Sequence, residues 1–322
     1  MPKNKILEYA KNVVPKVTEN DISELSGGYS SIAYKVTTKS PFVLLVQRPG
    51  AVNSSSYGHA FVVLQLLKTH GYKYSPLPLW LEPGQKAIAI SFFDGVPADK
   101  FNFDKSNVNP KDLALKVIDA DISASKISWQ EYSQSMKNAG LQPLPVRSLT
   151  DDCKDYGWGW LKIVKNSCPD KYIKDWLSDR IPAVMQTVSA SEETSPTFRH
   201  GDLSNPNILI NHSGDFTLID WDSSRFSTSG LEFLIAYATS LVDFMTPYKT
   251  EITSRVARYL GVSFESFDKR VYEAKRYNDV VGVNWAAMMM ARINAGEIKG
   301  ETNHFKKIAM DRIKAYEGEF SA

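Results

Sequence analysis

The chain reads as an α+β protein, with a small N-terminal antiparallel sheet followed by a larger, mainly helical part. Three observations predict this. Strand-like runs at residues 25–36, 41–47 and 86–91 all fall before residue 95. Segments with helical apolar spacing dominate from Asn109 onward, and one pair of short apolar runs, 208–210 and 216–219, interrupts them. With 322 residues there is room for two domains or for one bilobal unit with a sizeable core. Hydrophobic residues at 43% and charged residues at 23% are ordinary globular values. A net charge of +2 gives no case for nucleic acid or an anionic membrane as the main partner.

Taken in order, residues 3–14 place Ile6, Leu7, Ala10 and Val13 or Val14 at helical spacing, which predicts a short amphipathic helix. In residues 25–36 the pair Gly27-Gly28 separates two strand-like segments, the pattern of a hairpin turn. The continuous apolar run of 41–47 predicts a buried strand. A helix over about 55–69 ends at His70-Gly71, a C-terminal signal. Residues 86–95 form a strand closing on a glycine turn, and a boundary after Asp94 divides the chain into 1–94 and 95–322.

Asn109 caps the next helix, Pro110 suits its first turn, and Leu113, Val117, Ile118 and Ile122 share one face. Residues 129–150, with Pro143 and Pro145, read as a loop-rich insertion. The aromatic cluster Tyr156, Trp158 and Trp160 leads into helices at about 161–166 and 170–188, and large aromatics so placed are usually packing residues. Residues 230–242 form a largely apolar helix, and 251–322 several more, with Met288 to Met290 as core filler. The first residues lack the apolar core of a signal peptide, no apolar run approaches the roughly 20 residues of a membrane span, and Cys153 and Cys168 read as free thiols. The expected location is cytoplasmic.

The stretch that carries chemistry is 198–222. Between the runs 208–210 and 216–219 lies Asn211-His-Ser-Gly-Asp215, a turn-forming composition, so the two runs predict a β-hairpin. A hairpin brings Asn207, before its first strand, beside Asp220, after its second. Two oxygen ligands so placed suit Mg²⁺. Asp202, five residues before Asn207, lies within reach of a substrate hydroxyl.

His200-Gly-Asp202, then Asn207, then Ile219-Asp220 follow the pattern H-G-D-x-x-x-x-N with I-D. That pattern resembles the aminoglycoside phosphotransferase and choline kinase superfamily, a branch of the protein-kinase-like fold. The resemblance implies a bilobal kinase-like fold, with residues 1–94 as the nucleotide-covering lobe and 95–322 as the catalytic and substrate-binding lobe. It implies Asp202 as catalytic base, Asn207 and Asp220 as metal ligands, and ATP with Mg²⁺ as cofactors. It makes Gly27, Gly28, Ser30 and Ser31 the loop over the phosphates, and the backbone of Ser91, Phe92 and Phe93 the adenine-contacting hinge. His200 reads as a loop-stabilising residue and Asp222 as a brace with a possible role at a second metal. Glu232 falls near the position of a structural acid.

The sequence departs from the family at one point. On strand 41–47 the expected Lys or Arg falls at Leu45, and the helix at 55–69 holds no acid, its expected Glu falling at His59 or Ala60. Losing both halves of an ion pair together is physically coherent, because one half alone leaves a stranded charge. Lys35 and Arg48 are the candidate substitutes, with Arg48 on the opposite strand face from Leu45. The expected acceptor is a hydroxyl on a small molecule of aminoglycoside, choline or sugar type, with Trp158, Trp160 or Trp285 as candidate cage residues for a cationic amine. Residues 223–322 hold 12 acids against 14 Lys and Arg, which argues mildly against a polycation. The sequence leaves open ATP versus GTP and the oligomeric state. The alternative is a nucleotide-binding, catalytically weak, pseudokinase-like interaction module. Protein kinase activity is disfavoured, since no Ala-Pro-Glu segment follows Asp222.

Overall fold

The structure is a computed structural model that describes residues 3–25, 31–48, 57–189 and 194–320. The chain forms two compact units, Met1–Pro145 with Thr197–Phe226, and Val146–Pro196 with Ser227–Ala322. The boundary expected after Asp94 falls inside the first of them.

The first unit opens with helix α1 (Lys3–Val13), whose Ile6, Tyr9 and Ala10 are buried. Strands β1 (Ile22–Leu25), β2 (Ser31–Val36), β3 (Phe42–Gln47), β4 (Pro78–Leu81) and β5 (Ala87–Ser91) form an antiparallel sheet in the order β1-β2-β3-β5-β4. The alternation within β3 explains its two faces. Phe42, Leu44 and Val46 are buried in one cluster with Ile6, Tyr9 and Ala10 of α1, together with Tyr34 and Val36. Val43, Leu45 and Gln47 point the other way, and the register pairs them with Lys35, Ala33 and Ser31.

Helix α2 (Tyr57–Thr69) ends as its sequence predicts: Gly71 takes a φ of +68°, and Tyr72 N–H returns to Leu67 O at 2.9 Å. After β6 (Val96–Pro97) comes α3 (Pro110–Ala124), where Asn109 Oδ1 accepts the N–H of Lys111 at 2.9 Å.

One sequence expectation is corrected in this unit. Residues 129–150 are not simply a loop-rich insertion, because Trp129–Asn138 is helix α4. Ser128 and Glu131 form a capping box at its start, and the helix buries Tyr132 and Met136. The prolines lie beyond the helix end, where they interrupt nothing.

The unit is completed by β7 (Thr197–Arg199), β8 (Ile208–Ile210), β9 (Phe216–Leu218) and β10 (Arg225–Ser227). β8 pairs antiparallel with β9 and with β6, and β7 pairs with β10.

The second unit is helical. Its elements are α5 (Leu149–Asp152), a π-helical stretch Cys153–Gly159, α6 (Trp160–Ser167), α7 (Lys171–Ser189), α8 (Leu231–Leu241), α9 (Lys249–Leu260), α10 (Phe264–Asn294) and α11 (Thr302–Phe320). Asn284, wholly buried on α10, donates through Nδ2 to Tyr156 O at 2.7 Å and Gly157 O at 2.9 Å, which holds the widened turn in place. Met288 and Met290 are core residues, as expected. Cys153 and Cys168 are free and buried. No helix among the described residues is long and apolar enough to cross a membrane.

Candidate functional site

The hairpin forms with the predicted turn. Ile208 pairs with Leu218 and Ile210 with Phe216, and Gly214 closes the loop at a φ of +81°. One residue beyond the ladder, Ile219 N–H donates to Asn207 O at 2.9 Å, so Asn207 lies beside the residue that precedes Asp220. Asn207 Nδ2 in turn donates to Asp202 Oδ2 at 2.9 Å and Asp202 O at 3.0 Å. With Nδ2 committed to Asp202, the amide's oxygen is the group left to face a cation.

The loop before the hairpin is held from beneath. His200 is fully buried, and its Nε2 donates to Ile219 O at 2.8 Å, since a carbonyl only accepts. Nδ1 then accepts Asp202 N–H at 3.3 Å. Burial pushes the His200 pKa down, against the pull of Asp121 and Asp202, so the ring is neutral and acts as a brace between the two loops. Trp221 packs across it at 4.5 Å between ring centroids. Gly201 has a φ of +86°, and a Cβ there would overlap the Ser223 carbonyl, so the two loops touch backbone to backbone.

Asp220 takes the left-handed conformation, with φ of 66° and ψ of 54°, uncommon for a residue with a side chain. Its pKa is pushed up to about 8, first by burial, then by the Asp222 carboxyl, which also hydrogen-bonds it, and by Asp202. Three carboxyl groups thus act on one another across the two loops. Such a cluster, together with the Asn207 amide oxygen, fits a hard divalent cation bound partly through substrate phosphates. No set of three or more His, Cys, Asp or Glu among the described residues makes a metal site by itself.

Of the expected nucleotide-contacting residues, Gly27, Gly28 and Ser30 lie outside the described residues. Ser31 opens β2, and its Oγ accepts from Tyr57 Oη at 2.6 Å. Burial raises the Tyr57 pKa to about 12, with Asp222 and Asp220 adding to it, so the Ser31 side of the sheet faces the aspartates. At the hinge, Ser91 N–H is already given to Leu77 O at 2.9 Å and Phe92 N–H to Pro41 O at 3.2 Å. Phe93 N–H donates no backbone hydrogen bond of this kind among the described residues.

The register also separates the two substitute cations. Lys35 lies on the same face as Leu45, with Nζ 4.0 Å from the Phe92 ring centroid. Arg48 acts electrostatically on Tyr34, which belongs to the α1-facing cluster. Gln47, opposite Ser31, is the remaining polar residue of β3 on the aspartate side.

One buried acid beside the site escaped the sequence reading. Asp121 on α3 is buried and accepts His200 N–H through Oδ1 at 3.0 Å. Its signal was available: a charge three and four residues beyond Ile118 and Val117 on an apolar stripe. Glu232 folds its carboxylate over Gly230 at the start of its own helix. The cage candidates lie in the second unit. Trp158 is 46% exposed, while Trp160 and Trp285 pack against that unit's core. A cavity of about 170 Å³ in the first unit is lined by Leu67, Tyr72, Tyr74 and Ile127 and contains none of the motif residues.

No family model matches the chain. Among characterised proteins, choline kinase B1 of Caenorhabditis elegans is 23% identical over 256 residues, covering 73% of this chain and 60% of that protein. The chain therefore spans about three-fifths of that relative's length. Among solved structures, Plasmodium vivax ethanolamine kinase superposes with a TM-score of 0.63 at 16% identity, covering 98% of this chain and 86% of that one. The GDP complex of wild-type aminoglycoside 2'-phosphotransferase-IIIa gives a TM-score of 0.66 at 16% identity, covering 97% and 98%. The chain has the protein-kinase-like fold that these proteins share.

Proposed function

We propose that this protein is an ATP- and Mg²⁺-dependent phosphotransferase acting on a hydroxyl group of a small molecule. Asp202 is the base, and Asn207 and Asp220 are the metal ligands. The observation that carries the reading is the hydrogen-bonded joint in which Ile219 N–H holds Asn207 O while Asn207 Nδ2 holds Asp202 Oδ2. It links Asp202 and Asn207 directly and joins Asn207 to the residue that precedes Asp220. The kinase and phosphotransferase names of the three relatives, and the GDP bound to one of them, support a nucleotide as donor.

In this mechanism Asp202, oriented by Asn207, takes the proton from the acceptor hydroxyl as its oxygen forms a bond to the γ-phosphorus and the bond to the nucleoside diphosphate breaks. A bound magnesium ion would supply charge neutralisation for the phosphates, held by Asn207 and Asp220. His200 and Asp121 keep the loop in register. Phe93 N–H receives the base, with Lys35 beside it over Phe92. The acceptor is a free small molecule, with neither nucleic acid nor membrane as partner.

The test is release of nucleoside diphosphate from Mg·ATP in the presence of amino alcohols, sugars and aminoglycosides, with thermal shift in parallel. Turnover abolished by Asp202→Ala and Asp220→Ala is expected. Leu45, in place of a strand cation, favours one second reading, a nucleotide-binding module with feeble catalysis. Stabilisation by Mg·ATP without turnover across the panel would select it, and absence of any nucleotide effect would sink both.

A further inference from the structure

On α2, where the sequence resemblance leads one to expect an acid at His59 or Ala60, His59 is 6% exposed, and the helix packs against the turn Trp221–Ser223. Its Nε2 lies 3.1 Å from Tyr132 Oη. Tyr132 is wholly buried, and its Oη already accepts Leu144 N–H at 3.0 Å. The hydroxyl proton therefore has His59 Nε2 as its acceptor, since otherwise it would be buried unpaired. That assignment leaves the imidazole proton on Nδ1. Nδ1 is buried with no hydrogen-bond partner among the described residues, and the backbone of Asp222, in the turn that α2 packs against, is the polar group that acts on the ring from that side.

We infer that His59 is a positioning residue for the metal loop: it hands a hydrogen bond from Tyr132 to the backbone of Asp222, two residues beyond the proposed ligand Asp220. The inference rests on the phosphotransferase reading for its purpose, but not for its geometry. Asp220 sits in a left-handed conformation that neighbouring structure has to maintain, and the turn after it is the place to hold it. With Leu45 where a cation would stand, an acid on α2 would be a stranded charge. A neutral imidazole gives the same mechanical link and buries no charge.

The experiment compares wild type, His59→Leu, His59→Asn and Tyr132→Phe by amide hydrogen exchange and by kinetics against Mg²⁺. Exchange in residues 219–224 is expected to rise about tenfold in His59→Leu and Tyr132→Phe, the worth of one buried hydrogen bond. His59→Asn, which keeps a donor at the place of Nδ1, is expected to recover most of the protection. The apparent KM for Mg²⁺ should rise by a similar factor in the two loss variants, with kcat changed less than about threefold. Unchanged exchange at 219–224 in a folded Tyr132→Phe protein, or equal losses in His59→Leu and His59→Asn, would overturn the inference. A wild type that exchanges as expected but never turns over would instead remove the phosphotransferase reading and leave the hydrogen bond standing.

Discussion

Two sides of the first unit handle charge in opposite ways. The loops flanking the β8–β9 hairpin bring Asp202, Asp220 and Asp222 together, and burial with the neighbouring carboxyls pushes the Asp220 pKa up to about 8. On the sheet and α2, the corresponding positions carry Leu45, a buried His59 and Ala60. Uncharged hydrogen bonds do the linking there, Tyr57 to Ser31 and Tyr132 to His59. The difference separates what a phosphoryl-transfer site needs as chemistry from what it needs as mechanical support. Acids around a cation have no neutral equivalent, because their role is to carry charge. A strand-to-helix link has one, because any satisfied hydrogen bond holds two elements together.

The sharpest way to break this contrast is on the charged side. Asp202→Asn keeps the shape of the loop and removes the proposed base, so kcat should fall on the order of 10³-fold with the melting temperature unchanged. A steady-state assay with the preferred acceptor reads it, and retention of more than a tenth of the activity would refute the assigned role. Next is the backbone contact between the loops. Gly201→Ala forces a Cβ into the Ser223 carbonyl at a φ of +86°, and should cost about 3 kcal/mol by urea denaturation.

The neutral side is tested by acid. The His59 pKa is lowered from its usual 6.5 to about 4, by burial first, against the Asp222 carboxylate and carbonyl. A base with a depressed folded-state pKa contributes stability that is complete above 6.5 and is lost as pH falls toward 4. The groups acting on the ring are Tyr132 from α4 and Asp222 from the turn Trp221–Ser223. Wild type should lose on the order of 2 kcal/mol more than His59→Asn between pH 7 and pH 4.5, measured by denaturant midpoints at each pH. The smallest effect is at the hinge. Lys35→Met removes the cation over Phe92 and should weaken Mg·ATP binding about threefold by calorimetry, with stability unchanged. A tenfold or greater loss would mean that Lys35 touches phosphate instead of the base edge.

Much of the site was legible because its logic is local. The hairpin needed only two apolar runs and a turn with Gly214, and its closure brought Asn207 to Ile219. The α3 start followed from Asn109-Pro110 in the same way. Helix α4 was missed although its capping box was in the sequence. Pro143 and Pro145 drew attention to the loop that follows, and Tyr132 and Met136 alone make a thin apolar stripe. Asp121 was missed because an acid on a buried helix face has meaning only once the loop it holds is known.

The chain order by itself determined that the proposed base and metal ligands come together, since Asp202, Asn207 and Asp220 lie within nineteen residues and one hairpin suffices to gather them. It also determined that the strand cation and helix acid are absent together. Only the tertiary structure decided what stands in for them. Pairing β2 with β3 put Lys35 and Ser31 on the side of Leu45, and the packing of α2 against α4 gave His59 its Tyr132. Those partners are far apart in sequence, and contacts of that range are set by strand register and helix packing, which no local pattern of residues encodes.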